Sequence, residues 1–324
     1  MNYQGSVTVR LPAAIDPTDF DERYRLDAGQ WMGAIREVCE SHGITFLEPA
    51  AFGDGSNLVV AVGQRVVKIF PPFHRHQWES EHRVLARLGG RVDIPIPELV
   101  ASGEREDGWT YVILSRLPGV TLERVWPDCS LAEKADLLAL IGEMMAEVHS
   151  VPVGDVANLE PAWGGFLAGQ VARCRARHER LGMPRWFVEG VEAFVEEAMP
   201  MLPSAFEPVI LTGEYTPFNL LVEQGGGRWG FSGMIDFGDA MVGFREYDLL
   251  GPIVFLGEGE PELIRSLLRG YGYEDSQLDE GLRRRLMLLQ VLHRYSNFRV
   301  QVRIDGWESR AASFEALTGL LFPF

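Results

Sequence analysis

Lysine is almost absent from this sequence. Lys68 and Lys134 are the only two, and the other 28 of its 30 basic residues are arginine. The chain uses a guanidinium nearly everywhere it needs positive charge, so an ammonium inside the apolar run RVVKIF stands out. Lysine and arginine are not interchangeable where a compact point charge must meet a phosphate. Cysteine is also sparse: Cys39, Cys129 and Cys174 are far apart and odd in number. That argues against a disulfide framework and a CxxC metal site, and it fits a reducing compartment. No apolar run approaches the about 20 residues that a membrane-spanning helix needs. The opening stretch MNYQGSVTVRLPAAIDPTDFDE lacks a basic start followed by an apolar segment, so no secretory signal is expected and a cytoplasmic location follows. There is no GxxxxGK[ST], which excludes a Walker-type phosphate loop.

Positive charge is in short supply overall. The balance of 46 acidic against 30 basic residues gives a net charge of −16 over 324 residues. A nucleic-acid binder would need a basic face to displace counterions, so no nucleic-acid partner is expected, and no membrane partner either. An acidic cleft concentrates cations, which fits a cationic small-molecule partner, although the same charge also serves solubility alone.

What is present divides into two regions. Residues 27–42 carry Trp31, Ile35 and Val38 at helical spacing behind Asp27 as N-cap. NLVVAVGQRVVKIF reads as a hairpin turned at Gly63-Gln64. HRHQWESEHRVLARL is an amphipathic helix, and IPIPELVASG and GWTYVILSRL are two further strands joined by EREDG. From about residue 118 the character changes. LPGVTLERVW is a connector, and LAEKADLLALIGEMMAEVHS is a helix with Leu137, Ile141, Met144 and Val148 in one stripe. Residues 160–202 form two helical pieces broken at Gly182-Met183-Pro184. NLLVE and WGFSGMIDF are short strands turned by QGGGR, and residues 246–324 are mostly helical. The expected fold class is α+β and bilobal: a sheet lobe with one main helix over 1–117, then a mostly helical lobe over 118–324.

Phosphoryl transfer needs a cation for the phosphates, oxygen ligands for Mg²⁺, a carboxylate for the acceptor hydroxyl, and a backbone turn over the phosphates. Each has a candidate, in the chain order of kinase-like folds. Lys68 is the cation. Glu81 is its expected partner, four residues before Leu85 on the inward side of its helix, with Glu79 as competitor. Gly53, Gly55, Ser56 and Asn57 of GDGSN form the candidate phosphate-covering turn, though Gly-Asp-Gly is also an ordinary turn. Asn219 and Asp236 are the metal candidates, because Mg²⁺ takes hard oxygen ligands and an acid ending an apolar strand is costly unless paired or metal-bound. Asp239 reads as a supporting acid or as a turn or helix cap. Glu214 is the candidate base, five residues before Asn219, the interval between Asp and Asn in the kinase pattern H-R-D-x-x-x-x-N.

Taken together, VVKIF, the Glu81 helix, YVILSRLPGVTL, EVHS, TGEYTPFN, and MIDFGDA followed by REYDL resemble the aminoglycoside phosphotransferase family over about residues 50–260. Within that family the sequence is most similar to the hygromycin-B kinases of the 7″-O-kinase type. The resemblance implies a protein-kinase-like fold and ATP- and Mg²⁺-dependent phosphorylation of a hydroxyl on an aminoglycoside-like or other small molecule, with antibiotic resistance as the associated role. One motif departs from the family pattern H-G-D-x-x-x-x-N. Thr212 stands for His and Glu214 for Asp, while Gly213 and Asn219 are kept. Glutamate adds a methylene, and a misplacement of ~1 Å can cost on the order of 10²-fold in rate. The sequence therefore carries two alternatives beside an antibiotic kinase: a nucleotide-binding pseudokinase without transfer activity, and a kinase for a non-antibiotic metabolite.

Overall fold

A computed structural model describes residues 9–53, 55–213 and 215–324. The chain divides into two compact units: Met1–Gly89 with Ile96–Leu117, and Gly90–Pro95 with Pro118–Phe324. Residues 90–95 thus group with the second unit although they lie within the first in sequence.

The first unit is built on an antiparallel sheet of β1 (Ala50–Phe52), β2 (Leu58–Val62), β3 (Arg65–Phe70), β4 (Leu99–Glu104) and β5 (Thr110–Ser115), in the order β1-β2-β3-β5-β4. β2 and β3 form the expected hairpin, and Gly63 takes the positive φ of 56° that its two-residue turn demands. The helix Ala28–Ser41 starts where Asp27 accepts a hydrogen bond from the Gly29 amide, and it buries Trp31, Ile35 and Val38. These side chains join Leu58, Val60, Val67, Trp109 and Ile113 in one core. The turn EREDG turns inward rather than lying in solvent. Arg105 Nη2 donates to Val9 O at 2.7 Å and pairs with Asp107 at 3.0 Å, and Trp109 Nε1 donates to Pro12 O at 2.9 Å. Two buried charges thereby tie the segment 9–12 to the sheet. The second main helix, Arg75–Leu88, buries Val84, Leu85 and Leu88.

In the second unit the helix Leu131–Ser150 opens with a capping box between Ser130 and Glu133 and buries the stripe Leu137, Ile141, Met144 and Val148. It crosses the helix Pro261–Tyr271 so closely that a Cβ at Gly142 would collide with Leu267 O, and one at Gly270 with Ala139 O. The two helical pieces are Trp163–Arg180 and Arg185–Ala198, broken as expected. The connector after residue 118 is more ordered than its sequence suggested. Val120–Thr121 forms β6 and Leu122–Val125 a short helix. Val209–Leu211 is β7, Leu220–Gly225 is β8, Arg228–Met234 is β9 and Met241–Gly243 is β10. β6 joins β8 and β9, so the expected pair is a three-stranded sheet, and β7 pairs with β10. Strands of two or three residues are too short to carry a periodicity, which is why these were not legible. No helix among the described residues is long and apolar enough to cross a membrane.

Candidate active site

In the first unit, Lys68 lies on β3, flanked by Val59 on β2 and Val112 on β5. Its side chain turns inward to meet Glu81, with Nζ 2.7 Å from Oε2; Lys68 is 6% exposed and Glu81 1%. Glu79 is not the partner. It is exposed and pairs with Arg75. A pair this deep survives only with good geometry, because each charge has been taken out of water. The turn between β1 and β2 leaves Gly53, Gly55 and Ser56 exposed, and Asp54 lies outside the described residues. Gly55 has φ of 99°, a conformation that favours glycine. Asn57 behaves differently from its neighbours. Its side chain is buried, with Nδ2 donating to Gln77 Oε1 at 3.0 Å and Oδ1 3.1 Å from His74 Nδ1. At the other end of the turn, Arg25 Nη1 donates to Gly53 O at 2.5 Å. The turn is therefore held at both ends, and Asn57 Nδ2 also donates to Ser56 Oγ at 3.2 Å, while Gly53, Gly55 and Ser56 stay exposed.

In the second unit, β7 feeds the loop 212–219, which leads into β8. The loop is pinned by buried Thr212, Tyr215 and Pro217. Glu214 lies outside the described residues. Asn219 immediately precedes β8, and its carbonyl accepts the Ile235 amide at 2.9 Å. Leu220 pairs with Met234 in the β8–β9 register. Asp236 therefore emerges two residues beyond the end of the pairing, directly after Ile235, whose amide bonds to Asn219. It is half-buried with φ of 66°, an uncommon conformation for any residue but glycine. Its Oδ1 accepts the Gly238 amide at 3.3 Å.

Asp248 holds the loop from behind. Its buried carboxylate accepts the Thr212 amide at 2.9 Å and the Gly213 amide at 2.8 Å, and it meets His149 Nε2 at 3.1 Å. His149 Nδ1 in turn lies 2.8 Å from the Tyr271 hydroxyl. A carboxylate only accepts, so Nε2 carries the hydrogen of that bond, and the Tyr271 hydroxyl continues the chain from Nδ1. Burial pushes the Tyr271 phenol up to about 12, which keeps it a donor. Thr212 occupies the position of an imidazole in the family pattern, yet an imidazole still braces the loop. It comes from His149 on the long helix.

Asp239, in the turn after Asp236, is only 9% exposed. It caps no helix. Arg294 Nη1 reaches its Oδ1 at 2.9 Å, and the Tyr295 hydroxyl donates to its Oδ2 at 2.6 Å.

Sequence reasoning did not assign a role to His149, Asp248, Tyr271, Arg294 or Tyr295. His149 and Asp248 fall within EVHS and REYDL, which served only as marks of resemblance. His149 reaches Asp248 across 99 residues and Asp248 reaches the loop across 36, so no local pattern announces them. A buried acid in REYDL was the one available signal.

The donor set suits a magnesium nucleotide. No group of three or more His, Cys, Asp or Glu among the described residues forms a metal cage. Mg²⁺ does not require one: it takes one or two protein oxygens and fills its shell with water and phosphate. Asn219 and Asp236 are two such oxygen-bearing residues, brought to the ends of neighbouring strands by the β8–β9 register.

Comparison with known proteins agrees with this geometry. The model of the phosphotransferase enzyme family matches residues 49–288. An aminoglycoside 3′-phosphotransferase of Escherichia coli is 26% identical over 195 residues, covering 58% of this chain and 67% of that protein. Among solved structures, the GDP complex of aminoglycoside 2′-phosphotransferase-IIIa superposes with a TM-score of 0.65 at 21% identity, covering 89% of this chain and 96% of that one. A ternary complex of aminoglycoside phosphotransferase APH(4)-Ia with ADP and hygromycin B gives 0.56 at 17% identity, covering 88% and 97%. The α+β fold expected from the sequence is thus the fold of these enzymes, and the chain belongs to the phosphotransferase enzyme family.

Proposed function

We propose that this protein is an ATP- and Mg²⁺-dependent kinase that transfers the γ-phosphoryl group to a hydroxyl of a small, aminoglycoside-like and overall cationic acceptor, acting in the cytoplasm. The observation that carries this reading is Asp236. It is an acid held in a left-handed conformation just past the end of β9, which pairs with the strand that Asn219 precedes. A strained backbone of this kind costs on the order of 1–3 kcal/mol and persists where the position is needed.

The roles follow from placement. The nucleotide-holding residues belong to the region 1–117: Lys68, set by Glu81, neutralises phosphate oxygens, while Gly53, Gly55 and Ser56 offer backbone amides to them. Asn57 supports that turn from inside. The acceptor side belongs to the region 118–324. Asn219 and Asp236 hold the metal, which when bound supplies charge neutralisation for the transferring phosphoryl group. Glu214 orients the acceptor hydroxyl and takes its proton. Asp248 and His149 keep the backbone of residues 212–213 in place, so that position 214 is presented at a fixed point. Positioning and charge supply most of the catalysis in this chemistry.

The test is release of ADP from Mg·ATP against a panel led by hygromycin B and kanamycin, with Glu214→Ala alongside. Acceptor-dependent release that the variant loses supports the reading. The combination of Thr212 and Glu214 favours one competitor, a nucleotide-binding protein without transfer. It would bind Mg·ATP yet release no ADP above the level of Glu214→Ala for any acceptor.

A further inference from the structure

We propose that Arg294 and Tyr295 withdraw Asp239 from the acceptor, so that the hydroxyl-bearing ring of the substrate is neutral where it lies against this loop and is held by the Tyr295 ring rather than by a carboxylate. This rests on the reading of the chain as a small-molecule kinase and narrows its acceptor.

The position of Asp239 makes it the natural anchor for an ammonium. It follows Asp236 by three residues, and its carbonyl lies 3.4 Å from where a Cβ on Gly213 would sit. Both carboxylate oxygens are already engaged, Oδ1 by Arg294 and Oδ2 by the Tyr295 hydroxyl. Arg294 is itself fixed. Its backbone amide donates to the Tyr247 hydroxyl at 3.0 Å, its Nη2 lies 3.1 Å from Met241 Sδ, and its guanidinium sits 5.3 Å from the Phe166 ring centroid. An ammonium arriving at Asp239 would meet a guanidinium first. Like charges brought together in this way reject a ligand more strongly than a missing contact does. Tyr295, by contrast, is 52% exposed, and its ring offers a flat surface suited to the apolar face of a sugar-like ring. The overall charge of −16 still attracts a cationic molecule, but its ammonium groups are held elsewhere than at Asp239.

Calorimetric titration of the full chain with kanamycin tests this, independently of turnover. Arg294→Met frees the carboxylate and is expected to tighten kanamycin binding about tenfold, a gain that shrinks as salt is raised. Arg294→Lys keeps the charge and is expected to show no gain. Adding Asp239→Asn to Arg294→Met removes the freed charge and returns affinity to the wild-type value. Asp239→Asn alone leaves the guanidinium unneutralised and is expected to weaken binding, so it does not discriminate. If Arg294→Met binds kanamycin no better than wild type, or if the double variant binds tenfold more weakly than wild type, the proposal is wrong. Should Arg294→Met fail to fold, Tyr295→Ala decides: loss of the ring is expected to weaken binding several-fold, and unchanged affinity overturns the proposal. An absence of ADP release with every acceptor counts against the kinase reading alone, because the binding comparison does not depend on it.

Discussion

The Nε2 of His149 lies 3.1 Å from Oδ2 of Asp248, and that same oxygen accepts the amide of Thr212. One buried carboxylate thereby connects the end of a long helix to the loop that follows β7 at Thr212 and Gly213. Asp248→Asn keeps the size of the side chain but removes its charge and one acceptor. The expected loss of stability is about 3–5 kcal/mol, as for a broken buried pair. Thermal melts followed by circular dichroism check this. Transfer activity should fall as well, with kcat reduced and the affinity for Mg·ATP little changed, because Asp248 touches the loop and not the nucleotide-holding residues.

Lys68 and Glu81 should behave as a unit. Lys68→Met leaves Glu81 ionised at 1% exposure and is expected to cost about 3–5 kcal/mol of stability. The double variant Lys68→Met/Glu81→Gln should recover much of that loss, while Mg·ATP binding stays impaired in both. A double-mutant cycle on melting temperature and nucleotide affinity measures the coupling. With Glu81→Gln measured as well, a double-variant loss equal to the sum of the two single losses would show that the pair is not energetically linked.

Asp236 pairs a demanding backbone with a demanding task, and the two can be separated. Asp236→Gly relieves the positive φ, so the fold should hold with a change in stability within about 1 kcal/mol. Acceptor-dependent ADP release should nevertheless drop on the order of 10²–10³-fold, the usual scale for removing one group that stabilises the transferring charge. A titration of rate against Mg²⁺ concentration separates weaker metal binding from slower transfer.

Acid sensitivity should trace to His178. This ring is fully buried against Phe187 and Phe298, and burial pushes its pKa down to about 4 from an ordinary 6.5. The unfolded chain takes up this proton below about pH 6.5 while the folded chain resists it until about pH 4, so the stability contribution is full above 6.5 and is lost as pH falls through that window. The limiting slope is about 1.4 kcal/mol per pH unit from this group. In His178→Phe, denaturant midpoints between pH 6.5 and 4 should fall less steeply. The carbonyl of Val291, which the ring contacts at 3.0 Å, keeps a donor in Arg177 Nη2 at 2.7 Å.

The parts of this molecule legible from sequence are those written in local patterns. The helix behind Asp27, the Gly63-Gln64 hairpin and the stripe from Leu137 to Val148 each repeat within a few residues, so periodicity finds them. Lys68 was visible through its rarity, and Glu81 through its spacing from Leu85. Asn219 stood out by its interval from Glu214 and Asp236 as an acid ending an apolar strand, and the β8–β9 register puts them at the ends of neighbouring strands. What stayed hidden depends on distance along the chain. Nothing near Thr212 in sequence announces that His149 and Asp248 brace it, and nothing near Asp239 announces Arg294. Asn57 follows the glycine turn, as its place in GDGSN requires, but the inward direction of its side chain is set by His74 and Gln77 at the start of the helix Arg75–Leu88, beyond β3. β6, β7 and β10 are defined by pairing alone and carry no pattern of their own.

The burial of Lys68 also leaves the protein with scarcely any reactive side-chain amine. Lys134, the other lysine, is engaged by both oxygens of Glu258 at 3.0 Å and is 14% exposed. Amine-directed acylating reagents, and enzymes that modify lysine side chains, therefore find almost nothing on the surface of this molecule. A single slow-reacting ammonium within the nucleotide-holding unit becomes a natural footprint. Mass spectrometry of the chain acylated with and without Mg·ATP would report whether the nucleotide protects Lys68, without an engineered label and against a background of one other lysine.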